Sequence, residues 1–491
     1  MLFLKKLPIF IILLIFTAFI MFIPSIFGVI NNEYEAARSF FYYGLLILLI
    51  SFFLAVASLN RAKSSPIRSQ LLIVISSFVI LPIFFMLPLL KLLPNFDAHS
   101  LYFEMVSAFT TTGLTGLYMV EHISSTVLFW QVLVAWFGGV FIWTLYLAIF
   151  NSLGINNIFV TNEIKLIREV QFMEKRQFHH SEVFLKTLFV VLVPYTALTI
   201  MLWGILKLSG DSTFVSLSHS MSTMSTSGIS PIGGISSDSG VFGLLAILLF
   251  LFFALSSGSY RFYNLFELKK MFAKKSEFEA AIYLIFFSTL VLTVLNLNVS
   301  HDFNQIFILI LENIFLCISF LTTTGWFIYF SPNEPSSVLS FILIALTFIG
   351  GGIGTTAGGL KLIRFAIMQR HLNSEMTRMV YPSQIRISTS RMNLNSSIIL
   401  KVWVFAMILV ITILFIFCLL TIVGMSFENA FIMSISALCN NGPLFSAIIQ
   451  PLDLYLELTV FSKYIIICAM ILGRIEILLL FALFNPELWG K

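Results

Sequence analysis

Four short polar segments, each ending in a glycine, carry residue types that could bind a dehydrated cation. They read Phe109-Thr110-Thr111-Thr112-Gly113, Met224-Ser225-Thr226-Ser227-Gly228, Leu321-Thr322-Thr323-Thr324-Gly325 and Leu438-Cys439-Asn440-Asn441-Gly442. Glycine readily takes positive φ, which lets a backbone turn with its carbonyl oxygens toward one axis. Rings of carbonyl oxygens can replace the hydration shell of a cation. The segments therefore predict a cation pathway with one glycine per loop, and fewer binding sites than a filter with several carbonyl rings in series.

The elements that must hold these segments are apolar. Of the 491 residues, 59% are hydrophobic and 10% are charged, and the mean hydropathy is +1.00. Ordinary soluble domains carry about 25% charged residues, so this composition excludes a soluble chain. Roughly 20 apolar residues cross a bilayer, and the pattern predicts ten such spans, the first retained rather than cleaved. They lie at approximately 7–29, 40–60, 69–93, 127–150, 183–208, 241–264, 279–299, 337–367, 397–424 and 456–484.

The glycine segments fall between spans three and four, five and six, seven and eight, and nine and ten. Their glycines are 115, 97 and 117 residues apart, which indicates a fourfold repeat after an extra pair of spans. We therefore expect an all-α polytopic membrane protein. Two N-terminal transmembrane helices precede four helix–pore loop–helix repeats around a pseudo-fourfold ion pore. The expected boundaries are 1–64 for the N-terminal pair and 65–155, 156–270, 271–385 and 386–491 for the repeats.

The basic residues predict the orientation in the membrane. With both termini in the cytoplasm, only Arg38, Lys91, Lys207 and Lys463 of the 28 Lys and Arg residues fall outside, which leaves 24 inside. This bias follows the positive-inside rule and places all four glycine loops on the external side of a cytoplasmic (inner) membrane. The outer segments also carry acids such as Glu104. These would raise the local cation concentration at a pore mouth, or merely solvate the loops.

Further motifs narrow the class of transporter. Besides the glycine segments, they are Trp130-Gln131 with Trp136-Phe137-Gly138-Gly139, residues 222–230, residues 351–361, and Gly473-Arg474-Ile475-Glu476. With them the chain resembles, over nearly its whole length, the TrkH/KtrB/HKT superfamily of potassium transporters. The extra N-terminal pair of spans resembles the TrkH branch specifically. The resemblance implies potassium uptake through a channel-like pore. A membrane-embedded enzyme acting on lipid would need His, Asp and Glu clusters within the spans, which almost lack them, so we expect no enzymatic activity.

The resemblance implies that the loop glycines form a selectivity filter for potassium, the transported ion. The residues it assigns are Thr112, Gly113, Ser227, Gly228, Thr324, Gly325, Asn441 and Gly442. Gly113 favours potassium, because related plant transporters with sodium selectivity have serine there. The fourth loop departs from the family's Asn-Asn-x-Gly-Pro, since Asn440-Asn441-Gly442-Pro443 lacks the intervening residue. Either the register is adjusted locally, or the fourth quadrant of the filter differs.

The resemblance also implies a gate below the filter, in the second helix of the third repeat. Six glycines among residues 350–359 would each cost a helix about 1 kcal/mol relative to alanine, which favours a flexible plug. The alternative is close helix packing through small residues. Arg474 lies inside the last span, where a charge costs about 2.5–3.5 kcal/mol, and would act as a barrier or latch. Lys361 would anchor the loop or reach the inner interface. The gate residues are Gly351, Gly352, Gly354, Thr355, Thr356, Ala357, Gly358, Gly359, Lys361 and Arg474.

Partners are expected on the same basis. The sequence shows no P-loop or dinucleotide-binding motif. The resemblance implies a homodimer gated by cytosolic, nucleotide-binding TrkA-like subunits, with no nucleic-acid partner and no cofactor besides transported potassium. Basic stretches at 269–275 and 364–391 suit docking of that subunit or contact with anionic lipid. Two alternative functions stay open: symport of potassium with sodium or protons, and a poorly selective monovalent cation channel.

Overall fold

The computed structural model describes residues 7–58, 66–117, 123–150, 180–235, 238–255, 275–296, 303–327, 337–381, 396–449 and 458–475. Within these ranges the regular structure is helical, with no strand. The helices are α1 (Ile9–Ile30), α2 (Tyr34–Ser58), α3 (Pro66–Leu92), α4 (Ala98–Phe109), α5 (Ser125–Leu145), α6 (His180–Leu208), α7 (Thr213–Ser225), α8 (Gly240–Leu255), α9 (Lys275–Asn296), α10 (Phe303–Leu321), α11 (Ser337–Ile349), α12 (Leu362–Val380), α13 (Ser396–Ile422), α14 (Phe427–Leu438), α15 (Pro443–Ile448) and α16 (Val460–Ile475). A π-helical turn at Tyr146–Phe150 follows α5.

Seven of the described helices are long and apolar enough to cross a membrane, namely α1, α2, α3, α5, α6, α9 and α13. The other three expected spans correspond to α8, to α11 with α12, and to α16. The expected ends of the spans at α8 and α16 lie outside the described residues. A helix pairs its own backbone N–H and C=O groups, for which hydrocarbon offers no hydrogen-bond partners. The predicted all-α, multi-pass membrane architecture is confirmed.

Four shorter helices, α4, α7, α10 and α14, end immediately before the four glycine segments. Each packs against the helices that precede and follow it in the chain, such as α3 and α5 for α4, and α13 and α16 for α14. The expected pore helices at 100–110 and 303–321 agree with α4 and α10 to within two residues. The negative ends of the helix dipoles of these four helices therefore face the glycine segments.

The start of α2 differs from the sequence expectation. It begins at Tyr34 rather than at 40, because hydropathy marks only the apolar stretch. The helix continues outward until the chain turns at Asn32, where φ is 62°. In this extension α1 and α2 pack closely, since a Cβ added to Gly28 would lie 3.2 Å from the Cβ of Ala37. The hydroxyl of Ser25 also donates a hydrogen bond to the Ala37 carbonyl at 2.9 Å.

Glu33, in the turn between α1 and α2, ties this N-terminal hairpin to the start of α5. Its carboxylate accepts hydrogen bonds from the Ser125 amide at 3.0 Å, the Ser125 hydroxyl at 2.8 Å and the Thr126 amide at 3.0 Å. These bonds satisfy amides at the N-terminus of α5, where Ser124 makes no side-chain capping bond. Partial burial raises the pKa of Glu33, but the hydrogen bonds outweigh it and hold the pKa below its usual range.

Candidate ion-binding ring and gate

The four glycine segments share one backbone geometry just before their glycines. The residue two places before each glycine has a left-handed backbone, with φ of 52° at Thr111, 52° at Thr226, 55° at Thr323 and 52° at Asn440. Non-glycine residues adopt this region uncommonly, and a β-branched residue there is an outlier. Repetition of the same strained conformation in all four loops indicates that one architecture is imposed on each of them. The register of the fourth loop is therefore the same as that of the others.

A serine carbonyl in each pore helix accepts a hydrogen bond from the loop that follows the helix. The residue before each glycine donates its amide to the carbonyl of a serine five places earlier. The four bonds are Thr112 to Ser107 at 2.9 Å, Ser227 to Ser222 at 3.0 Å, Thr324 to Ser319 at 3.0 Å and Asn441 to Ser436 at 2.9 Å. This fourfold serine was not among the predicted site residues, although its constant spacing from the glycine is readable in the sequence.

The first two glycines face the next loop in chain order. A Cβ added to Gly113 would overlap the carbonyl oxygen of Ser227, and a Cβ added to Gly228 would overlap that of Thr324. Both glycines also have positive φ, 76° and 64°. Any other residue would be strained there and would displace an oxygen of the neighbouring loop.

The third and fourth loops complete a closed ring. A Cβ added to Gly325 would overlap the side-chain oxygen Oδ1 of Asn441, and one added to Gly442 would overlap the Leu114 amide. The Gly442 amide donates a hydrogen bond to the carbonyl of Thr112 at 2.6 Å. The loops thus contact one another in the order one, two, three, four and back to one.

The fourth quadrant differs in backbone conformation. Gly442 has φ of −59° and begins the short helix α15, with Pro443 at its first position, whereas the other three glycines have positive φ. Of the two possibilities that the sequence left open, the structure supports a different quadrant in an unchanged register. The Pro443 ring also reaches across the loops, because Cβ atoms added to Gly228 and Gly325 would lie 2.7 Å and 2.8 Å from its carbons.

Residues 350–361 interrupt the helix of the third repeat, between α11 and α12, and contact the ring. The Gly358 amide donates to the hydroxyl of Thr323 at 2.8 Å, and the Thr226 hydroxyl donates to that of Thr356 at 2.9 Å. A Cβ added to Gly358 would overlap the carbonyl of Cys439 in the fourth loop. We call residues 350–361 the gate loop. The predicted interruption of this helix is present, and the loop lies against the second, third and fourth glycine segments.

Arg474 connects the remaining, first loop to the gate loop. Its guanidinium donates hydrogen bonds to the Thr110 carbonyl, to the Thr111 hydroxyl and to the Thr356 carbonyl. The side chain is buried, and within the described residues its partners are these oxygens rather than a carboxylate. A positive charge therefore lies next to the ring, at the left-handed residue of the first loop. Hydrogen bonds of this charge-assisted kind are each worth roughly 1.5–3 kcal/mol.

Two other residues that the sequence assigned to a gate also form hydrogen bonds in this region. Lys361 donates to the Ala357 carbonyl and so holds the end of the gate loop. The Gly352 amide donates to the Ala254 carbonyl of α8 at 3.1 Å. A cavity of about 40 Å³ adjoins the loop, lined by backbone and side chains that include Thr355, Lys361 and Arg474. This volume holds few water molecules.

Glu104 corrects one sequence interpretation. Rather than lining an outer mouth, its carboxylate is buried behind the first loop. It accepts hydrogen bonds from the Gly116 amide at 3.0 Å and from the Gln131 side chain at 2.7 Å, and Gln131 Nε2 also lies 2.7 Å from the Thr115 hydroxyl. The acid therefore positions the outgoing limb of the first loop. The Trp-Gln motif pointed to Gln131, but nothing in the sequence paired it with Glu104.

Comparisons with known proteins agree with this architecture. Residues 278–490 match the family model described as TrkH, cation transport protein. This match covers less than half of the chain. The chain is 26% identical over 442 residues to the Trk system potassium uptake protein TrkH of Escherichia coli K12, covering 88% of both chains. It is 25% identical over 488 residues to the Trk system potassium uptake protein TrkI of Halomonas elongata, covering 96% of this chain and 94% of that protein.

The fold matches a solved TrkH structure. The crystal structure of the potassium transporter TrkH from Vibrio parahaemolyticus superposes with a TM-score of 0.80 at 24% identity, over 100% of both chains. The TrkH-type relationship predicted from the sequence motifs is thus confirmed, and the shared fold extends over the whole length of the chain.

Proposed function

We propose that this chain takes up potassium ions across the cytoplasmic membrane, through the ring formed by its four glycine loops. The observation that carries the proposal is the closed order of the ring, in which two loop glycines each face a backbone oxygen of the following loop. Convergent carbonyl oxygens at membrane depth suit a dehydrated monovalent cation. The relatives named as Trk system potassium uptake proteins support potassium as the ion.

In the proposed mechanism the described conformation is closed at the gate loop. Hydrogen bonds from Gly358 and Thr226 attach this loop to the ring, and Arg474 attaches it to the first loop. A guanidinium beside the inner end of the ring repels a cation that leaves the filter. Transport then requires the gate loop and the guanidinium to move away together.

The regulatory setting is part of the proposal. Relatives named as components of a Trk system support a cytosolic TrkA-like subunit that binds nucleotide and displaces the gate loop in a homodimeric transporter. Cytoplasmic N- and C-termini and external pore loops would place α12 on the side of that subunit. The basic stretch at 269–274, and the part of the other stretch at 382–391, lie outside the described residues.

Purified protein in lipid vesicles tests the function. Vesicles that contain wild type should take up potassium and rubidium in preference to sodium and lithium. The variant Gly228→Ala should lose at least about tenfold of this flux, because its Cβ would overlap the Thr324 carbonyl at a backbone φ of 64°. Gly204→Ala is the matched control, since a Cβ there has nothing within 4 Å. Equal flux in the two variants would contradict the proposed filter.

The same vesicles separate conduction from symport. Reversal potentials are measured while the potassium, sodium and proton gradients are varied one at a time. A pure potassium conductance follows the potassium gradient alone. A shift with sodium or with pH would instead support coupled symport, and similar permeability to all alkali ions would indicate a poorly selective channel.

A further inference from the structure

We propose that the fourth loop contributes to the ring through the side-chain amide oxygen of Asn441, where the second and third loops contribute backbone carbonyl oxygens. The inference rests on the proposed function, because it assumes that a monovalent cation binds within the ring. Asn441 would then influence ion selectivity through a side-chain oxygen, and it would do so in the fourth quadrant alone.

In the second and third loops, a backbone carbonyl oxygen lies at the contact with the preceding loop. The carbonyl oxygens of Ser227 and Thr324 lie against the glycine of the preceding loop, close enough that a Cβ there would overlap them. Neither carbonyl accepts a hydrogen bond from a residue that the structure describes. Buried acceptors without a hydrogen-bond donor, at the contact between two loops, are suited to a cation, which would supply the missing partner.

In the fourth loop the backbone carbonyl of Asn441 is directed away from the contact with the third loop. The carbonyl oxygen of Asn441 accepts a hydrogen bond from the Ser436 hydroxyl at 2.7 Å and so points toward its pore helix α14. The right-handed conformation of Gly442, at the start of α15, accompanies this rotation. The Gly442 amide holds the arrangement through its bond to the Thr112 carbonyl at 2.6 Å.

The side chain of Asn441 fills the place that the backbone leaves. Its Oδ1 lies against Gly325 as the Ser227 and Thr324 carbonyls lie against Gly113 and Gly228. The side chain is 0% exposed, and Oδ1 has no hydrogen-bond partner. An unsatisfied buried acceptor is costly, by about 1–3 kcal/mol, so its retention at this place calls for a ligand.

Thr347 in α11 positions this oxygen. Its hydroxyl oxygen accepts a hydrogen bond from Asn441 Nδ2 at 3.0 Å, which fixes the amide with Oδ1 directed at Gly325. A ligand held by side-chain torsions is less rigid than a backbone carbonyl. The fit of the ring to potassium therefore depends on the Asn441–Thr347 pair, and no residue at the corresponding position in the other loops carries an amide side chain.

The test compares four variants of the full-length protein. Asn441→Leu keeps the approximate shape and removes the oxygen. Asn441→Asp keeps an oxygen and adds charge. Thr347→Val removes the positioning acceptor, and Thr347→Ser restores it. Flux ratios for potassium, rubidium, sodium and lithium are measured in vesicles, and the rise of the thermal midpoint with added KCl or NaCl is measured in detergent, since a bound ion stabilises the folded state.

We expect Asn441→Leu to lower the potassium-to-sodium flux ratio at least about fivefold and to remove the preferential stabilisation by KCl. Asn441→Asp should shift preference toward sodium and lithium, whose higher charge density favours a charged oxygen. Thr347→Val should change the ratio in the same direction as Asn441→Leu, and Thr347→Ser should return it to the wild-type value.

Two outcomes separate the possible failures. If wild type shows neither potassium flux nor stabilisation by KCl, the proposed function itself is wrong. If wild type shows both, and Asn441→Leu keeps the wild-type preference for KCl over NaCl, the fourth quadrant acts through its backbone and the inference is overturned. The midpoint measurement decides this even where Asn441→Leu abolishes flux.

Discussion

The hydrogen bond from the Gly358 amide to the Thr323 hydroxyl provides a quantitative test of the gate. Thr323→Val replaces the hydroxyl with a methyl group of similar size, so the buried amide loses its acceptor in the seated gate loop. An unpaired buried amide costs about 1–3 kcal/mol. In a displaced loop the amide can bond water, so the penalty falls on the closed state. The equilibrium should shift toward the displaced state by about 5- to 150-fold.

The assay is basal rubidium flux into vesicles without any regulatory subunit. We expect the basal rubidium flux of Thr323→Val to exceed that of wild type by this factor, up to the flux of a protein whose gate loop is fully displaced. Thr144→Val is the matched control, because it makes the same chemical change at a buried hydroxyl that bonds only the Val140 carbonyl of its own helix α5, at 2.8 Å. Gly358→Ala should act in the same direction as Thr323→Val, since its Cβ would overlap the Cys439 carbonyl.

One result would refute this reasoning. If Thr323→Val and Thr144→Val give the same basal flux while both proteins remain monodisperse and equally stable, the Gly358–Thr323 bond does not hold the gate loop. A fall in flux accompanied by a changed potassium-to-sodium ratio would instead mean that Thr323 acts on the ring and not on the gate.

Two further predictions concern a latch and a tether. Arg474→Gln should raise basal flux, because it removes a positive charge and the charge-assisted bond to the Thr356 carbonyl, worth about 1.5–3 kcal/mol, and unchanged flux would contradict the latch. Glu33→Gln should lower the thermal midpoint in detergent at neutral pH, by an amount that corresponds to about 1 kcal/mol once solvent screening is considered. The pKa of Glu33 is lowered by its bonds to Ser125 and Thr126, so this stabilisation is present above the usual carboxyl range and is lost as the pH falls through the folded-state pKa. A difference between wild type and Glu33→Gln that persists in strong acid would contradict this assignment.

The sequence predicted the parts of the fold that depend on local rules. A positive φ at Gly113 is a local requirement, so the glycine was readable as a turn back out of the membrane. The interruption of the third repeat was readable because the glycines of 350–359 cannot continue a helix cheaply. Seven of the ten expected spans are long apolar helices in the described residues, because hydropathy depends on the solvent and not on tertiary contacts.

Features that depend on distant contacts were not predictable in the same way. The conformation of Gly442 depends on its bond to Thr112 in the first loop, so the sequence left two alternatives open. Glu104 was interpreted as an external acid from the sequence. Its burial depends on a hydrogen bond from Gln131 of another helix, which the sequence does not reveal. Likewise, Glu33 caps α5 from the turn between α1 and α2, and hydropathy does not distinguish this turn from any other polar connection.

The ring contacts the gate loop and Arg474 through its left-handed residues. In three loops the side chain of that residue forms a hydrogen bond with one of them: Thr111 with Arg474, Thr226 with Thr356 and Thr323 with Gly358. The displacement of the gate loop proposed above would break the bonds of Thr226 and Thr323, and would therefore affect the geometry of the ring.

The fourth left-handed residue is held differently. Asn440 donates to the Thr112 hydroxyl at 2.9 Å and to the Met470 carbonyl of α16 at 3.0 Å, and neither partner belongs to the gate loop. In the proposed displacement of the gate loop, Asn440 would keep its two hydrogen bonds, whereas Thr226 and Thr323 would lose theirs. A fixed quadrant can carry a side-chain ligand such as Asn441, because the Thr347 contact that orients it lies before the gate loop, within α11.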